Sequence, residues 1–333
     1  MIPPLQEHRA ESKRAAGMQG GSAAQQERSE PRDMIQVESL TLQYPSGKGI
    51  QDVSFRVKEG QVLGYLGPNG AGKTTTIRCL LGYAKADRGS CSIRGLDCRR
   101  QAPGIQRFLG YLPGEIAFLD GMTGRQFLDF MSRMRGTKDN SRQKELAEFF
   151  EIDLSGKIKR YSKGMKQKVG IIAAFMHDPQ VIILDEPTSG LDPLMQNRFT
   201  ELVLSEKKRG KTIFMSSHIF EEVERTCDQV VIIKDGRIAM DGDIHALGQN
   251  QRRSFLVQLA RPEDAARLES LGGQVEQLSP GRFQVSIRRE QTQALLGLLA
   301  QLEVISLESK NQSLEEIFLH LYGREGTDES DAV

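Results

Sequence analysis

Alternating hydrophobic and polar residues predict two β-strands at the start of the compact part of the chain. Apolar side chains at roughly every second position indicate strands with one buried face. These side chains are Ile35, Val37, Leu40 and Leu42 in the first strand and Val53, Phe55 and Val57 in the second. A Pro-Ser-Gly-Lys-Gly turn separates the two strands. Tyr44 lies where the first strand ends, and this pattern alone favours an aromatic packed on its own sheet.

Continuous apolar runs further along the chain predict strands buried on both faces, as parallel sheets require. They lie at 61–66, 181–184 and 212–215. Further strands are expected at 90–94 and 108–112, and helices at 123–134, 142–150 and 165–176. Helices that interrupt a strand-rich chain indicate an inserted helical subdomain, for which the expected bounds are about 115–178.

The chain beyond residue 250 follows a pattern of its own. Strands are expected at 255–259, 274–278, 283–287 and 304–308, and helices at 262–271 and 290–302. This order suits a small ferredoxin-like α+β domain, with expected bounds of 251–323. A last helix is expected from Ser313, where Ser-Leu-Glu-Glu resembles a capping box. We see no catalytic constellation there, so we expect dimer support or regulation.

Composition limits the possible classes of protein. The chain has 333 residues, 38% hydrophobic and 27% charged, which suffices for one large or two moderate domains. The formal net charge of +1 gives no general attraction to nucleic acid, so we expect no direct nucleic-acid partner. The apolar runs are far shorter than the ~20 residues of a membrane-spanning helix. The four cysteines lack metal-binding spacing and favour reduced cytosolic thiols.

Both ends of the chain are expected to be disordered. Residues Met1 to Asp33 have almost no large apolar side chains, so they cannot bury enough surface to offset their ordering entropy. The same expectation holds for 324–333. Because the composition changes abruptly at Met34, this residue is a hypothetical natural start, which the intact mass of the native protein would test.

A glycine-rich loop between a predicted strand and a predicted helix carries the strongest chemical signal. Its residues are Gly67, Pro68, Asn69, Gly70, Ala71, Gly72, Lys73 and Thr74. Glycines allow successive backbone N–H groups to surround phosphate oxygens, and the following helix adds its positive N-terminal dipole. Lys73 is expected to reach the outer phosphates and the Thr74 hydroxyl to ligate Mg²⁺. A plain turn before an ordinary helix is the less favoured alternative.

Two carboxylates and a histidine follow the predicted parallel strands. Asp185 and Glu186 end one strand, and open α/β sheets bind ligands at such ends. Asp185 is expected to hold Mg²⁺, and Glu186 to act as base or orienting group for an attacking water. His218 ends another strand. A solvated or structural histidine is the common case, but an imidazole there could also donate to a γ-phosphate.

These motifs, in this order over residues 34–248, resemble the ATP-binding cassette (ABC) family. Gly67 to Thr75 is similar to the Walker A loop, Ile182 to Glu186 to the Walker B strand, Ser189 to Asp192 to the D-loop and His218 to the switch histidine. The resemblance implies that Tyr44 stacks on adenine, and is not merely an aromatic side chain packed on its own sheet. It also implies an α/β P-loop NTPase fold with a RecA-like core, an antiparallel β subdomain and an inserted helical subdomain. The expected bounds of this ATP-binding domain are 34–250.

Two motifs depart from the common family form. The signature segment reads Tyr-Ser-Lys-Gly-Met at 161–165, where Leu-Ser-Gly-Gly-Gln is usual. It keeps Ser162 and Gly164, which the resemblance aims at a γ-phosphate bound by another subunit. The Q-loop position holds Gly114 in place of glutamine, and Glu115 is expected either to ligate Mg²⁺ or to contact a membrane partner. Both departures resemble the drug and antibiotic exporter branch, in which the permease is a separate chain.

The resemblance implies an ATPase subunit that forms a homodimer or pairs with a second ATP-binding subunit. The dimer would drive a separate transmembrane permease, with export as the expected direction. The subunit would be cytoplasmic, held on the inner face of the cell membrane by the permease. One alternative is a soluble cassette ATPase that remodels a nucleic-acid or protein complex, and another is a regulatory scaffold with incidental turnover.

Overall fold

The computed structural model describes residues 32–119, 121–137, 139–244, 246 and 253–310. Contacts divide the chain into two compact units. Of the described residues, one unit contains those up to Leu63, Gly70–Ser216 and Asp235–Arg237, and the other contains Gly64–Asn69, Ser217–Lys234 and those from Ile238. Within the described ranges, no helix has the length and apolar character needed to cross a bilayer.

An antiparallel sheet opens the first unit. Its strands are β1 (Asp33–Gln43), β2 (Gly49–Lys58), β4 (Arg88–Ile93) and β5 (Leu96–Asp97), in the order β2-β1-β4-β5. The predicted hairpin is confirmed, since β1 pairs antiparallel with β2 across the turn. Alternate apolar side chains of β1 and β2 are buried because one face of the sheet packs on the core. The first strand starts at Asp33, inside the segment expected to be disordered.

A second sheet of this unit contains β6 (Leu109–Leu112), β7 (Val181–Asp185) and β8 (Thr212–Ser217), which pair in parallel. The strand β3 (Val62–Leu66), whose first two residues belong to this unit, lies next to β8 in the order β3-β8-β7-β6. All five residues of β7 are buried, as its continuous apolar run predicts. The parallel register sets Asp185 beside Ser216, so polar residues from two strands meet at one edge of the sheet.

The helices of the first unit connect these strands. They are α1 (Lys73–Leu80), α2 (Ala102–Ile105), α3 (Gly124–Met134), α4 (Ser141–Phe149), α5 (Lys163–Phe175) and α6 (Pro193–Lys208). Three of them, α3 to α5, lie between β6 and β7 in the chain. Thr123 and Gln126 form a capping box at α3, and Ser162 caps α5. The predicted start of α5 at Met165 is therefore two residues late.

The second unit contains β9 (Gln229–Lys234), most of β10 (Arg237–Asp243) and α7 (Phe220–Thr226). Within this unit the end of β3 continues a sheet in the order β10-β9-β3. A glycine is required in β3, because a Cβ at Gly64 would lie 2.5 Å from a Val223 methyl group. The helix α7 thus packs directly on the backbone of β3.

The C-terminal part of the second unit has the predicted strand–helix order. Its elements are β11 (Arg253–Leu259), α8 (Ala265–Glu269), β12 (Gln274–Ser279), β13 (Arg282–Ile287), α9 (Thr292–Leu299) and β14 (Val304–Lys310). The antiparallel sheet order β12-β13-β11-β14 is that of a ferredoxin-like fold. Phe255, Val257, Phe283 and Val285 are among the side chains of its apolar core.

Both helices of this part are shorter than predicted. A 3₁₀ turn, Pro262–Asp264, replaces the start of the first helix, and another, Arg289–Gln291, precedes the second. The expectations for 1–31, for the helix from Ser313 and for the tail at 324–333 lie outside the described residues.

All four cysteines have free thiols. Cys79 in α1, Cys98 after β5 and Cys227 after α7 are buried, whereas Cys91 in β4 is half-buried. The Cys91 thiol donates to the Cys79 carbonyl oxygen at 3.5 Å. Burial is the first cause that raises the pKa of the Cys79 thiol, to about 12.

Candidate active site

The glycine-rich loop is shaped to receive an anion. Gly70 and Gly72 adopt φ values of 85° and 111°, which side chains rarely tolerate. A Cβ at Gly70 would meet no heavy atom of the described chain within 4 Å, so the loop is open on that side. Helix α1 starts at Lys73 with a first turn of one lysine and three threonines, Thr74, Thr75 and Thr76. Its N–H groups and positive dipole therefore meet no carboxylate of their own turn.

The preceding loop residues, Gly67 to Asn69, belong to the second unit. Gly67 is buried, and its N–H donates to the Ser217 carbonyl at 3.3 Å. Pro68 and Asn69 are exposed. The loop therefore begins, after β3, at a glycine whose backbone is held by a hydrogen bond.

At the end of β7, the Asp185 carboxylate accepts hydrogen bonds from two hydroxyl groups. It is 3% exposed. Thr74 Oγ1 donates to Asp185 Oδ2 at 3.0 Å, and Ser216 Oγ donates to Asp185 Oδ1 at 2.5 Å. The sequence predicts the pairing of Thr74 with Asp185 through a shared ion, but it does not predict Ser216. The polar end of β8 was the available signal for that residue.

Glu186 follows Asp185 in a left-handed conformation, with φ of 49°. Its N–H donates to the carbonyl and the hydroxyl of Ser216, at 3.2 and 3.1 Å. Its Oε1 lies 3.3 Å from Lys73 Nζ. Lys73 is 5% exposed and Glu186 27%, so this ion pair is largely shielded from water. Two of the three residues predicted to be catalytic, Lys73 and Glu186, are thus brought together, and His218 is the third.

A cavity of about 880 Å³ opens beside these groups. Thr74, Asp185 and Glu186 line one part of it, and the segment after β6 and the start of α5 line the rest. A Cβ at Gly114 would lie 3.4 Å from Asp185 Oδ2, so the residue at the Q-loop position does sit at the carboxylate. Glu115 is exposed and lines the same cavity.

Tyr111 is a lining residue that the sequence does not single out. Burial raises the pKa of its hydroxyl to about 12, and the negative charge of Asp185 contributes. The hydroxyl therefore stays protonated at neutral pH and remains a hydrogen-bond donor. Its position in β6 next to β7 brings it to the site.

The signature segment begins helix α5. Ser162 is exposed and its Oγ accepts the Met165 N–H at 3.2 Å. Gly164 is needed for close approach, because a Cβ there would lie 2.9 Å from the Gly190 carbonyl oxygen. This segment therefore packs on the D-loop of its own chain.

Three predicted residues occupy other places. Tyr44 is half-buried in the turn after β1, and Asp192 Oδ1 caps α6 by accepting the Met195 N–H at 3.0 Å. The described residues that line the cavity do not include these two. His218 directly follows β8 and is exposed. The nucleotide contacts expected of Tyr44, Asp192 and His218 remain predictions.

A phosphate loop at the start of a helix, facing two carboxylates at the end of a parallel strand, defines a P-loop ATPase. The family model described as ABC transporter matches residues 50–189. The bacitracin transport ATP-binding protein BcrA of Bacillus licheniformis is 33% identical, over 87% of this chain and 97% of its own length. The Nod factor export ATP-binding protein I of Burkholderia orbicola is 32% identical, over 88% and 98%.

The fold comparison agrees with the sequence comparison. A solved structure described as the ATP-binding subunit of an ABC transporter has a TM-score of 0.59 and 32% identity, and it covers 64% of this chain and 91% of its own. The chain belongs to the family of ABC transporter ATP-binding proteins. It is an ATPase of the cassette type, as its sequence predicts.

Proposed function

We propose that this ATPase powers transport, in the export direction, by a separate transmembrane permease. The observation that carries the proposal is similarity along nearly the whole length of relatives named for bacitracin transport and Nod factor export. Such similarity includes the C-terminal part of the chain and is not limited to the ATP-binding motifs. The subunit would act in the cytoplasm, on the inner face of the membrane, where the permease holds it.

The glycine-rich loop and α1 would bind ATP. Their N–H groups, with Lys73, would hold the phosphates, and Tyr44 would stack on the adenine. Mg²⁺ fits the donors present, because it takes few protein ligands and prefers oxygen. Thr74 and Asp185 already share a hydrogen bond, and Glu115 is a third candidate on the cavity wall. The bound ion would neutralise phosphate charge.

Glu186 would orient and deprotonate the attacking water. Its backbone is held by Ser216, and its carboxylate lies at the cavity. In this conformation Lys73 pairs with Glu186, and phosphate would compete for the same ammonium group. His218 would donate to the γ-phosphate from the end of β8.

Two ATP-binding subunits would associate head to tail, as a homodimer or as a pair of different chains. The exposed Ser162 hydroxyl and the N-terminus of α5 would contact the phosphates held by the partner, and the backbone around Gly164 would approach them. Asp192 would lie at the same junction. Loss of the γ-phosphate would remove these contacts, and the opening of the dimer would drive the permease between its access states.

Affinity purification tests this proposal. The tagged protein is recovered from detergent-solubilised membranes of its native cell, and its companions are identified by mass spectrometry. A stoichiometric membrane-spanning protein is the expected result. Recovery with ribosomes, nucleic acid or soluble complexes, and with no membrane protein, would contradict a permease and favour the remodelling ATPase. Untagged cells provide the control.

A further inference from the structure

The start of helix α5 holds the loop that follows the proposed catalytic glutamate. This loop, residues 186–192, leads from β7 into α6 and contains two left-handed residues, Glu186 with φ of 49° and Gly190 with φ of 80°. The buried Gln167 donates through Nε2 to the Pro187 carbonyl at 2.7 Å. The loop therefore depends on α5 for part of its polar contacts.

Lys163 makes the second connection between α5 and this loop. Its Nζ donates to Ser189 Oγ at 3.0 Å. Its methylene groups lie over Gly190, where a Cβ would meet Lys163 Cδ at 2.8 Å. Lys163 thus binds the loop at Ser189 through its ammonium group and packs its methylene groups on the Gly190 backbone. Both residues line the cavity that contains the carboxylates of Asp185 and Glu186.

The contact between Lys163 and Ser189 also restrains Glu186, because a backbone hydrogen bond connects Ser189 to Glu186. The Ser189 N–H donates to the Glu186 carbonyl at 3.1 Å, which closes a tight turn between them. A displacement of Ser189 therefore changes the backbone that carries Glu186, whose left-handed conformation needs external support. Lys163 occupies the position where the common signature has a glycine, which has no side chain to make either contact.

We infer that Lys163 is a positioning residue for ATP hydrolysis, which acts on Glu186 through Ser189. The inference rests on the proposed role of Glu186. It predicts an effect on kcat with little effect on KM, because the contact orients the water-activating group and does not bind phosphate. This charged hydrogen bond is exposed to solvent, so its loss corresponds to only about a two- to fivefold decrease in kcat.

Steady-state ATPase kinetics of matched variants test the inference. Lys163→Met keeps the stem on Gly190 and removes the donor, whereas Ser189→Ala removes the acceptor. Both are expected to lower kcat about two- to fivefold at unchanged KM, and the double variant to lower it no further than either alone. Lys163→Arg should restore most of the rate. Lys159→Met removes the same charge from an exposed position nearby and controls for net charge.

Other results would overturn the inference. If Lys163→Met behaves as Lys159→Met, the contact has no role in turnover. If Lys163→Met lowers kcat but Ser189→Ala does not, or if the two effects add, Lys163 acts independently of Ser189. A failure of the proposed role of Glu186 is distinguishable, because Glu186→Gln would then retain the wild-type rate.

Discussion

Lys73 and Glu186 carry opposite charges 3.3 Å apart at the mouth of the phosphate loop. Phosphate would draw Lys73 toward the loop and leave the Glu186 carboxylate available to a water molecule. Under the proposed function, phosphate binding would therefore replace this ion pair. Each partner can be tested separately.

Substitution Lys73→Met keeps the buried volume and removes the ammonium group. We expect ATP affinity to fall at least about tenfold, the loss expected for one charged contact with phosphate. Equilibrium titration with ATP measures the change. Lys85→Met, at an exposed position, is the control. Unchanged affinity would show that Lys73 does not bind phosphate.

Substitution Glu186→Gln keeps the shape of the side chain and removes its basicity. We expect kcat to fall about 10²- to 10⁴-fold, while ATP binding is retained. Phosphate release and ATP titration measure the two quantities. Glu201→Gln makes the same change at an exposed residue of α6. A Glu186→Gln protein with normal turnover would contradict the role of Glu186 as base.

Residues within a short motif are predictable, and residues brought together by the sheet are less so. Lys73, Thr74, Asp185 and Glu186 come from two segments with strong local patterns. Ser216 reaches Asp185 only through the register of β7 with β8, and Tyr111 through the register of β6 with β7. No local pattern contains this register.

At the scale of elements, Asp192 caps a helix, in addition to the role that is proposed for it at the nucleotide. Its carboxylate caps α6, which runs from Pro193 to Lys208. We expect Asp192→Ala to lower the free energy of unfolding by about 1 kcal/mol, because the Met195 N–H loses its acceptor. Urea denaturation measures this difference.

Asp192→Asn provides the matched control, because asparagine also caps helices. We expect its stability to be close to that of the wild type. Equal stability of the alanine and asparagine variants would contradict the capping role. Reduced turnover of the stable asparagine variant would support the proposed place of Asp192 at the nucleotide junction.

Helix boundaries were less predictable than helix existence. The apolar pattern of α5 begins at Met165, but Ser162 starts the helix at Lys163 by capping it. In the C-terminal part, the apolar spacing of 262–271 and 290–302 predicts longer helices than are present. Each begins with a 3₁₀ turn, so the periodic stretch includes residues outside the α-helix.

At the scale of the whole molecule, the strand–helix order of the C-terminal part is predictable from the chain, because each element has its own periodicity. The sheet order β12-β13-β11-β14 follows from pairing between distant segments. The strand–helix order along the chain does not itself specify which strands pair. The sheet order is predictable only because this strand–helix sequence is known to fold in a ferredoxin-like way.

The stability of the folded chain is expected to depend on pH through His177, between α5 and β7. Burial, then the positive charge of Arg135, lowers the pKa of His177 from 6.5 to about 4. The unfolded state therefore binds a proton more readily. This contribution to the free energy of unfolding is complete above pH 6.5 and falls as the pH decreases toward 4, by at most roughly 3 kcal/mol.

Comparison with His177→Gln isolates this contribution from that of other acidic groups. The difference in free energy of unfolding between the two proteins should shrink as the pH falls from 6.5 to 4. Chemical denaturation at several pH values measures it. A difference that is constant over this range would contradict the linkage.

The reactivity of the buried Cys79 thiol can be used to measure the opening of helix α1. Alkylating reagents attack thiolates, and a pKa of about 12 leaves almost none at neutral pH. Modification of Cys79 thus requires the helix to open, while the half-buried Cys91 is more accessible. The rate at which Cys79 is labelled, followed by mass spectrometry, therefore measures how often α1 opens. The N-terminal end of this helix begins at the proposed phosphate site.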